Sequence, residues 1–479
     1  MNSWFVRIHF CFFVYIFQFI CVTIDSCILH EERKIKMNTG EVLRRTVFNL
    51  LDASKGGKLQ KLKEVNKREI VEGVTEEYME RRLKTLLDYV KKNSSFYRKH
   101  PEWKELKDFP VMTKGDFIEH YDEVLVDHYQ EQGKLYRLST SGSTGTPFTV
   151  LCDGDKMNRI NMNFISCMEL NGFRMGMKRG EFRAWIKGKN TISKWKSFKN
   201  NLIMVDISNM GDESLDKICR DIEKKKIQVL VTYSSALTAL TQYIRKTGRD
   251  CSRCVVKAII PISETMPEPV RRTLSEQFGC PVRAWYSNEE NGIMGLQNEK
   301  DEGYRIDTET YYYEILKMDS DEPAEPGELG RIVITDLFNY AFPIIRYDNG
   351  DTAVAVRKEK NGRFKLCLSV LYGRRSDLIY DCDGKAVTPY IITNNLWDIE
   401  GVKQYRFIQE DVKDYTIWLN GDQEKMDQEE ILRRIRPYLG EEAHIKVEIV
   451  DEIPVLASGK RKYIENRCQK YQQHKGFCG

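Results

Sequence analysis

The sequence predicts an α/β protein with a large amino-terminal domain and a small α+β carboxyl-terminal domain, on three observations. Buried-strand runs alternate with amphipathic helices from about residue 135 to 295, short strands with close turns follow from 304 to 372, and residues 373 to 479 return to a strand, helix, strand order. Alternation argues a largely parallel sheet, whereas closely spaced strands argue a β-rich subdomain. The length of 479 residues agrees, since single cores stop growing at about 250 to 300 residues.

The chain opens on an apolar leader, residues 1–36. From Trp4 to Ile24 it is interrupted by Arg7, His9, Gln18 and Thr23, and its cleanest run, Phe10 to Phe17, falls short of a bilayer span, which takes roughly 20 residues. Three readings stand: a signal anchor, a signal peptide, or a translation start at Met37 with the leader a gene-call artefact, the last being preferred. If the leader inserts, Arg33, Lys34 and Lys36 hold the remainder on the cytoplasmic side. The expected location is therefore cytoplasmic, with membrane anchoring only through residues 4–24.

Residues 38 to 130 read as mostly helical, with apolar residues at helical spacing from Tyr78 to Val90 and breaks at Pro101 and Pro110. Ile227-Gln-Val-Leu-Val-Thr-Tyr reads as a buried strand, and a helix follows from Ala236 to Ile244. Val255-Val-Lys-Ala-Ile-Ile-Pro repeats the pattern before a helix from Glu268 to Phe278. Tyr311 to Leu316, Gly330 to Asp336 and Thr352 to Val356 are the short strands of the β-rich part. The main boundary is expected near Gly373, dividing a large domain, 37–372, from a small one, 373–479.

Composition excludes some functions. Lys plus Arg outnumber Asp plus Glu by only 75 to 71, and the signs are interspersed, so no nucleic-acid-binding field exists. Thirteen cysteines lack framework spacing, which fits reduced thiols better than a disulfide scaffold. Cys251-Ser-Arg-Cys254 has no second pair to complete a zinc site and reads as two loop thiols.

The most informative string is Ser139-Thr-Ser-Gly-Ser-Thr-Gly-Thr-Pro147, set between strand-like segments. Glycines let the backbone turn back on itself, and clustered amides and hydroxyls make a nest for phosphate oxygens. It is not a Walker loop, because no Gly-Lys-Ser/Thr follows.

Thr140-Ser-Gly-Ser-Thr-Gly-Thr-Pro resembles the phosphate loop of the adenylate-forming superfamily, and five further strings match in order. Ile262-Ser-Glu-Thr-Met is similar to the adenine-side loop, Trp285-Tyr-Ser-Asn-Glu-Glu290 to the Tyr-Gly-x-Thr-Glu motif, and Pro343-Ile-Ile-Arg-Tyr-Asp-Asn-Gly-Asp351 to the ribose-binding motif. Gly373-Arg374 with Asp377 resembles the interdomain hinge, and Leu456-Ala-Ser-Gly-Lys460 the carboxyl-terminal Ser-Gly-Lys loop. Ile345-Arg-Tyr-x-x-Gly-Asp and Gly401-Val-Lys-Gln-Tyr-Arg-Phe-Ile look closest to phenylacetate-CoA ligases and to adenylating proteins of capsular polysaccharide loci.

The resemblance implies ATP-dependent activation of a small-molecule carboxylate to its acyl-adenylate, followed by transfer to coenzyme A. One alternative is transfer to an amine, sugar or carrier in surface-polysaccharide assembly; another is a non-catalytic nucleotide-binding relative. It implies ATP or AMP contacts from Thr140, Ser141, Gly142, Ser143, Thr144, Gly145, Ser263, Glu264, Tyr286, Asp351 and Arg374. Glu290 would hold Mg²⁺, Ser376 and Asp377 would form the hinge, and Lys460 would act in adenylation. Three positions depart from the family pattern: Phe148 stands near a common lysine, Ser287 and Glu289 replace small Gly and Thr, and Ser376-Asp377 replaces an acidic doublet.

Overall fold

The computed structural model describes residues 39–131, 135–139, 148–183, 192–297, 303–397, 399–454 and 462–472. Helices dominate the first part: Thr39–Ala53, Lys58–Glu72 and Glu76–Asn93 are followed by shorter ones to residue 131. Glu76–Asn93 contains the Tyr78 to Val90 pattern, is capped by the Thr75 side chain on the Tyr78 amide, and buries Met79, Leu86, Leu87 and Val90. No helix among the described residues is long and apolar enough to cross a membrane.

Strands β1 (Tyr136–Ser139) and β2 (Thr149–Cys152) pair antiparallel. A four-stranded parallel sheet follows, built from β3 (Arg179–Arg183), β4 (Leu202–Asp206), β5 (Val229–Tyr233) and β6 (Ala258–Ile262) in the order β4-β3-β5-β6. Every residue of β5 and β6 is buried, because helices cover parallel strands on both faces. One face packs Leu230 and Ile259 against Leu215, Ile218, Leu237 and Leu274; the other sets Val229, Val231 and Ile260 against Met168 and Trp285.

Seven strands then form one largely antiparallel sheet. They are β7 (Trp285–Asn288), β8 (Gly292–Gln297), β9 (Tyr304–Ile306), β10 (Tyr311–Leu316), β11 (Leu329–Asp336), β12 (Tyr347–Lys360) and β13 (Arg363–Arg374), ordered β10-β11-β12-β13-β9-β8-β7. The expectation of short strands fails at β12 and β13, which run 14 and 12 residues. Their outer ends, Arg357 to Lys365, are charged and largely exposed, so apolar patterning stops where backbone pairing continues from Arg357↔Leu366 to Lys360↔Arg363.

After Arg374 the chain makes a 3₁₀ turn over Arg375–Asp377 and enters a second core. A hairpin of β14 (Ile379–Tyr380) and β15 (Ala386–Val387) precedes a helix, Pro389–Leu396. A four-stranded sheet follows, β16 (Val402–Gln409), β17 (Asp414–Gly421), β18 (His444–Ile449) and β19 (Ile464–Asn466), ordered β18-β17-β16-β19. Helix Gln428–Leu439 lays Ile431, Ile435 and Leu439 on Phe407, Tyr415, Ile417 and Leu419. Trp397 reaches back into the core of the parallel sheet, and its carbonyl accepts from Gln242 Nε2 at 2.9 Å.

Candidate active site

Open parallel sheets bind ligands beyond the carboxyl ends of their strands, and β5 and β6 end at Tyr233 and Ile262. There the backbone turns sharply: Ser263 has φ 67, a left-handed conformation that serine rarely adopts. Glu264 follows at the same edge. Its Oε2 accepts from the Ser235 amide at 2.7 Å and its carbonyl from Ser234 Oγ at 3.0 Å, which caps helix Ser234–Thr247.

The densest cluster lies where β7, β12 and β13 meet. Tyr286 is buried in β7, and its hydroxyl donates to Asp351 Oδ2 at 2.9 Å. Asn349 Nδ2 donates to the Tyr286 oxygen at 2.7 Å and to Asp351 Oδ2 at 3.3 Å. Gly350 makes this turn possible with φ 80; a Cβ there would come within 3.2 Å of Arg374 Nη1. Arg374, paired in register with Asp351 across β12 and β13, brings Nε to 3.4 Å from Asp351 Oδ1 and donates to the Asn349 carbonyl. Asp351 raises the guanidinium above its usual range, and burial opposes it. Desolvation raises the Tyr286 phenol well above normal, and the Asp351 charge adds to that, so Tyr286 stays a donor.

Glu290 sits 5% exposed just after β7 and accepts from the Tyr347 hydroxyl at 2.9 Å. Among the described residues that bond to Oε1 is its one hydrogen bond. Met112 threads into the same wall: its amide donates to the Arg346 carbonyl and its carbonyl accepts from the Asp348 amide, both at 2.9 Å. Lys114, two residues on, is half-buried in the fields of Glu290 and Arg374, and desolvation lowers its ammonium.

Tyr286, Glu290, Asp351 and Arg374 are thus gathered into one charged, half-enclosed cluster, while Ser263 and Glu264 stand at the sheet's carboxyl edge. Asp377 ends the turn after Arg374 and pairs with Lys462 Nζ at 3.2 Å; Ser376 Oγ donates to the Asp377 carboxylate. Thr140, Ser141, Gly142, Ser143, Thr144, Gly145 and Lys460 lie outside the described residues, as does the leader. Ser139 and Thr149 pair across β1 and β2, and their hydroxyl oxygens lie 2.7 Å apart. Sequence reasoning passed over Lys114, Tyr347 and Asn349; the last two stood inside the ribose-like string, where a hydroxyl and an amide near Asp351 were the available signal. Cys251 and Cys254 share a turn, Cys254 N to Cys251 O 3.0 Å, and among the described residues no group of three or more His, Cys, Asp or Glu side chains is placed to hold a metal.

Residues 379–467 match the model of the CapK C-terminal domain. Protein CapK of Staphylococcus aureus is 23% identical over 413 residues, 81% of this chain and 89% of that protein. Phenylacetate-coenzyme A ligase of Escherichia coli K12 is also 23% identical, over 286 residues, 56% of this chain and 64% of that enzyme. This chain is a homologue of CapK and of the phenylacetate-CoA ligases. Among solved structures, 2-hydroxyisobutyryl-CoA ligase in the postadenylation state, in complex with R3-HIB-AMP, superimposes with TM-score 0.64 at 17% identity, covering 83% of this chain and 91% of that one. Its open conformation, in complex with 2-HIB-AMP and CoA, gives TM-score 0.53 at 18% identity, covering 80% and 90%. The mixed α/β fold with a carboxyl-terminal domain is that of the adenylate-forming enzymes.

Proposed function

We propose that this protein activates a carboxylic acid with ATP. A substrate carboxylate oxygen attacks the α-phosphorus, the bond to the β-phosphate bridging oxygen breaks, and pyrophosphate leaves with that bond's electrons, giving the acyl-adenylate. The observation that carries the reading is Asp351 held by Tyr286, Asn349 and Arg374 beside buried Glu290. Two acceptor oxygens fixed by these donors suit a ribose diol, while Arg374, 52% exposed at its side chain, keeps donors for ribose or phosphate oxygens. The domain boundary falls, in this reading, between Gly373 and Asp377, where the seven-stranded sheet ends.

ATP requires phosphate neutralisation. Glu290 is a buried hard-oxygen donor engaged on Oε1, a set that fits Mg²⁺, which when bound would shield phosphate charge. Lys114 adds a second cation on this wall and answers the lysine missing near Phe148. Lys460 would meet the charge that develops as pyrophosphate departs; aligned stabilisation of this kind is worth on the order of a hundred- to a thousandfold in rate. No covalent enzyme intermediate is required, since the substrate supplies the nucleophile.

The acyl group then passes to a thiol, with coenzyme A the leading acceptor: the sulfur, losing its proton, bonds the acyl carbon, and AMP leaves with the electrons of the broken carbon–oxygen bond. A second acceptor class, an amine, sugar or carrier in surface-polysaccharide assembly, is favoured by one observation: the CapK relative aligns over 81% of this chain against 56% for the Escherichia coli ligase. Carboxylate-dependent exchange of pyrophosphate into ATP tests the first step, and discharge of the adenylate by added coenzyme A separates the acceptors. ATP binding without exchange for aryl, fatty, amino and sugar acids alike would argue for a non-catalytic nucleotide binder.

A further inference from the structure

Five of the eleven most exposed large apolar side chains among the described residues occupy one surface: Val47, Leu50 and Leu51 at 40, 53 and 57% exposure, and Trp195 and Phe198 at 74 and 66%. The first three fall at i, i+3 and i+4 on helix Thr39–Ala53, so the apolar stripe of that amphipathic helix faces solvent. Trp195 and Phe198 stack on the short helix Lys194–Lys199, with centroids 6.1 Å apart and planes at 26°. Arg44 joins the two: Nε donates to the Phe198 carbonyl at 3.2 Å and the guanidinium lies 5.3 Å from the ring centroid. Because Arg44, Val47 and Leu51 share a stripe, the apolar surface is continuous from Phe198 along the helix.

Its charge has one sign. Lys194, Lys196 and Lys199 are exposed next to Trp195 and Phe198 on the same short helix, no acid occurs from Ile192 to Asn200, and among the described residues no carboxylate pairs with these lysines. The carboxylates of helix Thr39–Ala53 are turned inward: Glu41 and Asp52 are each 4% exposed, Asp52 accepting from the Leu59 and Gln60 amides. An apolar stripe with an exposed indole and interleaved lysines suits an anionic bilayer surface, where rings enter the headgroup layer and ammonium groups meet lipid phosphate. A protein partner would need this contiguous patch too, but the unpaired lysines favour the lipid. In the sequence, Arg33, Lys34 and Lys36 immediately precede this helix and follow the apolar run from Trp4 to Ile24.

We propose that the surface formed by Val47, Leu50, Leu51, Trp195 and Phe198, ringed by Lys194, Lys196 and Lys199, docks this protein on the surface of an anionic lipid bilayer. The inference does not depend on the adenylation reading. The test is co-sedimentation of the full chain with phosphatidylcholine vesicles, with and without phosphatidylglycerol, at low and high salt. Wild type should bind the phosphatidylglycerol vesicles and weaken with salt. W195S/F198S and K194E/K196E/K199E should each lose about tenfold or more in affinity, with unchanged circular dichroism and melting because these side chains are exposed. Equal binding of wild type and variants, as an apolar leader acting alone would give, overturns the proposal. So does failure to bind phosphatidylglycerol vesicles, including the case in which wild type self-associates through this face and the variants do not.

Discussion

The Tyr286 hydroxyl donates a 2.9 Å hydrogen bond to Oδ2 of Asp351, two residues from different strands of one sheet, 65 positions apart in the chain. The bond fixes the carboxylate together with Asn349, which donates to the same oxygen, and Arg374, which lies against Oδ1. Removing the donor should therefore affect nucleotide more than fold.

Tyr286→Phe should raise the KM for ATP about tenfold, since a hydrogen bond to a charged group contributes about 1.5 to 3 kcal/mol. Asp351→Ala should lower kcat/KM for ATP by about a hundredfold or more. Steady-state exchange kinetics at varied ATP check both, and an unchanged KM in Tyr286→Phe would remove the ribose assignment.

Glu264 separates a structural role from a nucleotide-binding one. Its carboxylate accepts from the Ser235 amide, so Glu264→Ala should cost about 1 kcal/mol of stability and change the KM for ATP less than Asp351→Ala does. Urea unfolding beside exchange kinetics measures the two.

Lys156 Nζ lies 2.6 Å from Asp336 Oδ2, both side chains fully buried. Lys156→Met strands a buried carboxylate and should destabilise by about 3 to 5 kcal/mol, whereas Lys156→Met with Asp336→Leu should recover much of the loss. Denaturant midpoints of the three chains decide it; additive losses would contradict the pairing.

Asp307 is 2% exposed, and burial, with Glu309 nearby, pushes its carboxyl up to about 6. The folded value exceeds the unfolded one, so its contribution is fully present below the unfolded value of about 3.9 and is lost as pH rises through 6. Measured from pH 4 to 7, the stability of wild type relative to Asp307→Asn should fall as pH rises; a pH-independent difference would place the titration elsewhere.

Much of the architecture could be read from the chain because neighbours in sequence made it. The runs ending at Tyr233 and Pro261 became β5 and β6, and the helix from Glu268 to Phe278 stands where its pattern ends. Long-range pairings were not legible. Lys114 reaches the cluster only because Met112 pairs beside Tyr347, and no local pattern announces a contact across more than two hundred residues. Glu264 is a second case: it occupies a motif position, and its carboxylate also meets the start of helix Ser234–Thr247, a contact that sequence alone does not show.

Carboxylate-dependent exchange of pyrophosphate into ATP, on wild type and Lys460→Ala with ATP binding measured in parallel, tests the central claim most directly. Exchange with one acid class that disappears in Lys460→Ala, while the variant stays folded and binds ATP, is the predicted result. Exchange undiminished in Lys460→Ala, or wild type that binds ATP and exchanges with no acid, would contradict it.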